Sequence, residues 1–210
     1  DALGVKQVKL ADGSRVSLMP GATISSRMLA DKREISLKKG RAFFEVVSDK
    51  AKPFYVNTGR RLVRVVGTRF EVYAADGFDR VAVNEGLVSI SNKQAASENA
   101  PEAGIMIEPG MVALYKDGEK APQISRDNPD QIGNWADGVL VFSGNSLNEV
   151  IQEIYQLHPE KPINLEPELA DRTYSGTLAI ADAETMLRHL TKLLSLTLTV
   201  TDTEFVVSAR

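Results

Sequence analysis

Between Ile35 and Tyr73 the chain reads ISLKKGRAFFEVV, then KPFYVNT, then LVRVVGTRFEVY, with apolar and polar residues alternating and Gly, Pro and Asn between the runs. A period of two turns one face of a strand to a core and the other to water. The alternation continues almost throughout residues 1–117, so this part folds as sheet. No His, no Cys and no arrangement of a serine with a catalytic base falls in the stretch. Such a surface suits a partner better than a reaction.

A spacing recurs within it. Ile35, Leu37, Gly40, Ala42 and Phe44 form one copy; Val81, Val83, Gly86, Val88 and Ile90 a second; Ile105, Ile107, Gly110, Val112 and Leu114 a third. In each, glycine marks a tight reversal that asks for positive φ. A looser copy at Val8, Leu10 and Gly13 slips by one. Stacked β-hairpins in a roll, a sandwich or a short solenoid would produce this, and so would a plain antiparallel meander.

The pattern lapses twice. Lys93 to Gly104 (KQAASENAPEAG) reads as a loop, and residues 118–134, rich in Gly, Pro and Asp, as an interdomain linker. This divides the chain into a β-rich domain at 1–117, a linker at 118–134 and a second domain at 135–210. Trp135 at the boundary reads as a packing anchor.

In the second domain the period changes. Val139 to Phe142 is a short strand, and Ser146 with Glu149 spells a capping box. Leu147, Val150, Ile151, Ile154 and Tyr155 make the stripe of an amphipathic helix that Pro159 stops. A second helix opens at Asp182, with acids first and bases last to suit the dipole. Its apolar face is Ala183, Met186, Leu187, Leu190, Leu193 and Leu194. With strands at Ile163–Leu165, Thr173–Ile180, Leu196–Val200 and Phe205–Ser208, the order is β-α-β-β-α-β-β, a small α+β domain.

Composition removes several classes. The net charge of −3 carries no basic stripe, so nucleic acid is not an expected partner. No apolar run approaches the roughly 20 residues that span a bilayer. The chain opens on Asp1 without a leader, which reads as an excised fragment. With no cysteine there are neither disulfides nor thiolate metal sites. His158 and His189 are the only histidines, and neither has partners at metal-ligand spacing. Glu149 is explained by capping and Glu153 by solvation. No phosphate-cradling glycine pattern occurs, and no cofactor is expected.

Gly67-Thr68 stands inside what reads as one continuous strand. A mid-strand glycine marks a bulge or a close backbone approach. The adjacent hydroxyl would also be a nucleophile toward the preceding carbonyl if that peptide were strained. Both readings stand on the residues alone.

Taken in order, ADGSRVSLMPGATI at Ala11–Ile24, LKKGRAFFEVV, KPFYVNTG, VVGTRFEVY and VAVNEGLVSI resemble the periplasmic part of FecR-type transmembrane anti-sigma factors, regulators of bacterial cell-surface signalling. The DGS, G-x-A-x-FEV, PF-x-V, GT-x-F-x-V and EG-x-V elements each match. Lys38-Lys39-Gly40-Arg41 departs, with bases where a GE pair is common, and Asn84 falls at a variable position. W-x-x-G-x-L-x-F at Trp135–Phe142 and the SLNEVIQEIY helix are similar to the family's C-terminal segment. That segment resembles an STN domain, the βαβ module of secretins and TonB-dependent transducers.

The resemblance implies one inner-membrane crossing outside this chain and a cytoplasmic region that holds an extracytoplasmic-function sigma factor. It implies a periplasmic part that receives the signal from the N-terminal signalling domain of an outer-membrane TonB-dependent siderophore transporter. A periplasmic protease then begins release of the sigma factor. Some members cleave themselves at a Gly-Thr bond by an N–O acyl shift, and Gly67-Thr68 is the matching pair. No turnover chemistry is expected. Partner contact is expected on the STN-like half, at exposed edges of Thr173–Ile180 and Leu196–Val200, through Tyr174, Ser175, Thr177, Thr197, Thr199 and Thr201. A secretin or transporter fragment is the alternative that the first-half elements argue against.

Overall fold

A computed structural model describes residues 4–93, 104–119 and 121–210. The chain divides into two compact units, one spanning Lys6–Gly133 and one containing Asn134–Arg210. The segment read as a loop at 93–104 lies outside the described residues except at its two ends.

Among the described residues the first unit has thirteen strands: β1 (Lys6–Lys9), β2 (Arg15–Leu18), β3 (Ile24–Met28), β4 (Arg33–Leu37), β5 (Gly40–Glu45), β6 (Phe54–Asn57), β7 (Arg61–Val65), β8 (Arg69–Ala75), β9 (Phe78–Glu85), β10 (Val88–Asn92), β11 (Ile105–Ile107), β12 (Met111–Lys116) and β13 (Gln123–Arg126). They form a seven-stranded sheet in the order β1-β2-β5-β8-β9-β12-β13 and a six-stranded sheet in the order β11-β10-β7-β6-β4-β3. One apolar core takes residues from both, as in a β-sandwich. Val16, Phe44, Phe70, Val72, Val81 and Val83 come from the larger sheet, and Ile35, Phe54, Val56, Val63 and Ile90 from the smaller. Phe44 stacks on Phe70 with ring centroids 5.1 Å apart and meets Phe54 edge-on at 6.2 Å.

Hairpins are present, as expected: β1–β2, β3–β4, β6–β7, β8–β9, β10–β11 and β12–β13 each pair antiparallel within a sheet. The repeated glycines do not lie in them. Gly40, Gly86 and Gly110 have φ of +103°, +86° and +78°, and each sits where the chain leaves one sheet for the other: β4 to β5, β9 to β10, β11 to β12. Positive φ is the means of turning that corner. Gly13, the slipped copy, lies instead in the β1–β2 hairpin. Because β4 and β6 are separated by β5 in the opposite sheet, they pair in parallel.

Residues 118–134 are not all linker. β13 lies within them and pairs with β12 from Met111↔Arg126 to Leu114↔Gln123. The Asn84 amide then donates to the carbonyls of Pro129 (2.8 Å) and Ile132 (3.3 Å). Ile132 packs on Ala82 and Val112, and a Cβ on Gly133 would lie 2.2 Å from the Phe43 ring.

The second unit contains β14 (Val139–Ser146), α1 (Leu147–Leu157), β15 (Ile163–Leu165), β16 (Thr173–Ala179), α2 (Ala183–Leu194), β17 (Thr197–Val200) and β18 (Phe205–Ser208), the α+β order read from sequence. β14 pairs antiparallel with β16, while β15, β18 and β17 form a three-stranded sheet in that order. α1 packs on β14, β15 and β16, and α2 on β16 and β17, so each helix meets both sheets. The capping box is formed: the Glu149 N–H donates to Ser146 Oγ and the Ser146 N–H to the Glu149 carboxylate. Leu193 departs from its expected face and is 56% exposed. Trp135 is buried. No helix among the described residues is long and apolar enough to cross a membrane.

Candidate functional site

In β4, Arg33 shares its parity with Ile35 and Leu37, so the pleat turns it inward; it is 3% exposed. Its Nε donates to the Lys52 carbonyl (2.8 Å), Nη1 to Asp12 Oδ2 and the Val47 carbonyl (both 2.8 Å), and Nη2 to the Val66 carbonyl (3.1 Å). The guanidinium also stands 5.3 Å from the centre of the Phe54 ring. Asp12 accepts from the backbone N–H and hydroxyl of Ser14, and Ser14 Oγ accepts from the Val47 N–H. The DGS turn, the β5–β6 connection and the β7–β8 corner are thereby tied to one buried cation. Burial pulls the Asp12 carboxyl upward, but hydrogen bonds from Ser14 and Arg33 outweigh it and hold the group below its ordinary range.

Gly67-Thr68 occupies that β7–β8 corner, not the interior of one strand. Periodicity runs through the corner because the residues before and after it face the same core from opposite sheets. The Val46 N–H donates to the Thr68 carbonyl (3.0 Å) and the Asp49 N–H to the Val66 carbonyl (3.1 Å). A Cβ on Gly67 would sit 2.5 Å from Ser48 Cβ and 2.6 Å from Ser48 Cα, so the glycine serves a close backbone approach. Thr68 is buried, and its hydroxyl donates to the Leu87 carbonyl at 3.4 Å. A Cβ on Gly86 would fall 3.0 Å from the Gly67 carbonyl oxygen and 3.2 Å from Thr68 Oγ1. The GT and EG elements are therefore packed on each other. The register shift that does occur lies one residue on, between Arg69 and Phe70 against β9.

Asp79 anchors a second knot that sequence reasoning missed. It is 1% exposed and accepts from Thr58 Oγ1 (3.0 Å) and from Arg60 Nε and Nη2 (3.1 and 2.8 Å). Arg60 Nη2 also donates to the carbonyls of Ala75 and Phe78. The signal was available for Arg33 and Asp79 alike. Each occupies an inward position of an alternating strand, beside Ile35 in one case and Val81 in the other.

In the second unit the residues expected at a partner surface separate. Tyr174 is buried, its ring 5.8 Å from that of Phe142. It is a core residue, because in β16 it shares parity with Leu178. Ser175 is exposed and its Oγ accepts from the Gly144 N–H at 2.7 Å. Thr201 Oγ1 accepts from the N–H groups of Thr203 and Glu204, which fastens the β17–β18 turn. Thr177, Thr197 and Thr199 are exposed. These residues belong to two different sheets, with Tyr174, Ser175 and Thr177 in one and Thr197 and Thr199 in the other.

His158 closes α1, where its N–H meets the carbonyls of Ile154 and Tyr155 and its Nε2 donates to the Ala181 carbonyl at 2.6 Å. His189 is exposed on α2. Among the described residues no group of three or more His, Cys, Asp or Glu could hold a metal ion.

Residues 3–89 match the family model described as FecR protein. Over this segment the chain is similar to FecR proteins. That segment takes in β1 to β9 and the beginning of β10, and so includes both buried knots and the Gly67-Thr68 corner. Two crystal structures of a candidate anti-sigma factor from Parabacteroides distasonis ATCC 8503, at 1.65 Å and 2.50 Å, share the fold. The first has a TM-score of 0.74 with 23% identity, over 100% of this chain and 97% of that one. The second has a TM-score of 0.70 with 23% identity, over 100% of this chain and 96% of that one. A β-rich unit followed by a small α+β unit is thus a fold common to these chains. No curated protein matches the sequence.

Proposed function

We propose that this chain is the signal-receiving periplasmic region of a transmembrane anti-sigma factor. The observation that carries this reading is the FecR-like segment joined to the α+β unit, in a fold shared end to end with a candidate anti-sigma factor. The resemblance supplies the finer steps. The region receives the N-terminal signalling domain of an outer-membrane TonB-dependent siderophore transporter, and a periplasmic protease relays the event toward an extracytoplasmic-function sigma factor. The α+β unit carries the partner contact as an STN-like module, since β16 and β17 offer strands and α2 packs on both. Titration of the 210-residue chain with the transporter's signalling domain is expected to give saturable binding in calorimetry. Heat no greater than dilution across the titration would sink the reading.

A second reading is single-turnover self-cleavage between Gly67 and Thr68. It is favoured by the buried Thr68 hydroxyl, whose hydrogen bond to Leu87 is long at 3.4 Å. In such a step Oγ1 attacks the Gly67 carbonyl carbon, the C–N bond breaks, and the Thr68 nitrogen leaves as an amine. Water then hydrolyses the ester to a Gly67 carboxylate and a free Thr68 hydroxyl. Mass spectrometry of the purified chain should show two fragments meeting at this bond, and Thr68→Ala should show one intact mass. A wild-type chain that stays whole on prolonged incubation would remove this reading.

A further inference from the structure

A strand at a sheet edge presents unpaired backbone groups, and stable proteins blunt such edges with charge, brevity, bulges or cover. Most edges here are blunted. β1 carries Lys6 and Lys9, β3 carries Arg27, and β13 carries Arg126. β11 and β15 are three residues long, and β14 shifts register between Phe142 and Asn145. β16 is uncharged but is interrupted by Gly176. β17, reading TLTV, has no charge, no proline, no glycine and no bulge.

The register of β17 on β18 identifies the unused groups. The Thr201 N–H donates to the Glu204 carbonyl at 3.0 Å, which makes 201–204 a hydrogen-bonded pair. Bonded and non-bonded pairs alternate along an antiparallel ladder. Thr199↔Val206 and Thr197↔Ser208 are then bonded pairs, whereas Leu198 and Val200 direct their N–H and C=O away from β18. Their side chains are half-buried, and Thr197 and Thr199 are exposed on the other face. α2, which packs on β17, ends near Leu193, the most exposed large apolar residue among those described.

We infer that β17 is the docking edge, and that its occupant is an extended, uncharged strand of the partner protein. The inference rests on the signal-receiving reading above. The added strand bonds to the backbone of Leu198 and Val200. Its alternate residues are apolar where they continue the Leu198–Val200 row, and small or β-branched where they lie beside Thr197 and Thr199.

The test is calorimetric titration of the full chain with the transporter's signalling domain, paired with amide hydrogen exchange. Leu198→Pro deletes an outward N–H while leaving the bonded pairs at Thr197 and Thr199, a position where an edge strand accepts proline. Thr199→Lys adds a guarding charge on the exposed face and carries the test if the proline variant fails to fold. Each should weaken binding about tenfold, the equivalent of one net hydrogen bond. The Leu198 and Val200 amides should gain protection when the partner is added. Wild-type affinity in both variants, or unprotected amides in the bound state, would overturn the edge and leave the signal-receiving reading standing. Protection that rises with the concentration of the chain alone would assign β17 to a second copy and overturn it too. No binding by the wild-type chain would remove both.

Discussion

Replacing Arg33 with methionine should lower the unfolding free energy by about 3–5 kcal/mol, the range for breaking a buried ion pair from one side. Methionine can fill much of the channel beside Phe54, but it offers no donor. The carbonyls of Val47, Lys52 and Val66 and the Asp12 carboxylate lose the cation that joins them. Guanidinium denaturation would show the loss as a fall in midpoint at similar slope. Adding Asp12→Asn to Arg33→Met should recover part of it, because no uncompensated carboxylate then remains. Independent, additive effects of the two changes would contradict the pairing. A pH series supplies a further check. Asp12 is held below its ordinary value of 3.8, so its contribution is complete above that value and is lost as pH falls through the lower folded-state pKa. The acid-side decline should be shallower in the Arg33→Met variant than in the wild type.

Gly67→Ala should cost about 1–3 kcal/mol, the ordinary range for overpacking a filled site. The added methyl would fall on Ser48 Cβ and Cα at 2.5 and 2.6 Å. Relief requires backbone movement on one side of the corner or the other, and it threatens the bonds from Val46 to Thr68 and from Asp49 to Val66. Thr68→Ala, which removes only a long hydrogen bond and a methyl group, should cost less. Thermal unfolding of the two variants side by side would decide the matter. An alanine tolerated at position 67 with no change in melting temperature would mean that Ser48 yields and that the glycine serves some other need.

The sequence announced the β-rich unit through its alternation and the second unit through its change of period, because both signals are local. It was less informative about which sheet a strand joins. Leu37 and Ala42 both face one core, and alternation is blind to the fact that they do so from opposite sheets. The glycines at 40, 86 and 110 consequently read as hairpin turns. β13 was hidden for the opposite reason. All four of its residues are exposed, so it leaves no apolar pattern, and it exists because the β12 backbone needs a partner. Tyr174 was legible and misread, since its parity with Leu178 turns it inward. Arg33 and Asp79 carry the same lesson with a charge in place of an aromatic ring. A polar residue at an inward position of a strand signals a buried network more often than a solvent-facing site.

The division of strands between the sheets bears on what a break at residues 67–68 would do. Strands before the corner supply β1, β2 and β5 to the larger sheet and β3, β4, β6 and β7 to the smaller. Those after it supply β8, β9, β12 and β13 to one and β10 and β11 to the other. The two pieces would still be zipped along β5–β8 and β7–β10, with Phe44 on one piece stacked against Phe70 on the other. A nick there would turn one chain into a pair of complementing fragments that stay assembled, and the peptide bond would cease to carry tension while the sandwich kept its shape. Pulling the pieces apart would then mean unzipping two ladders at once.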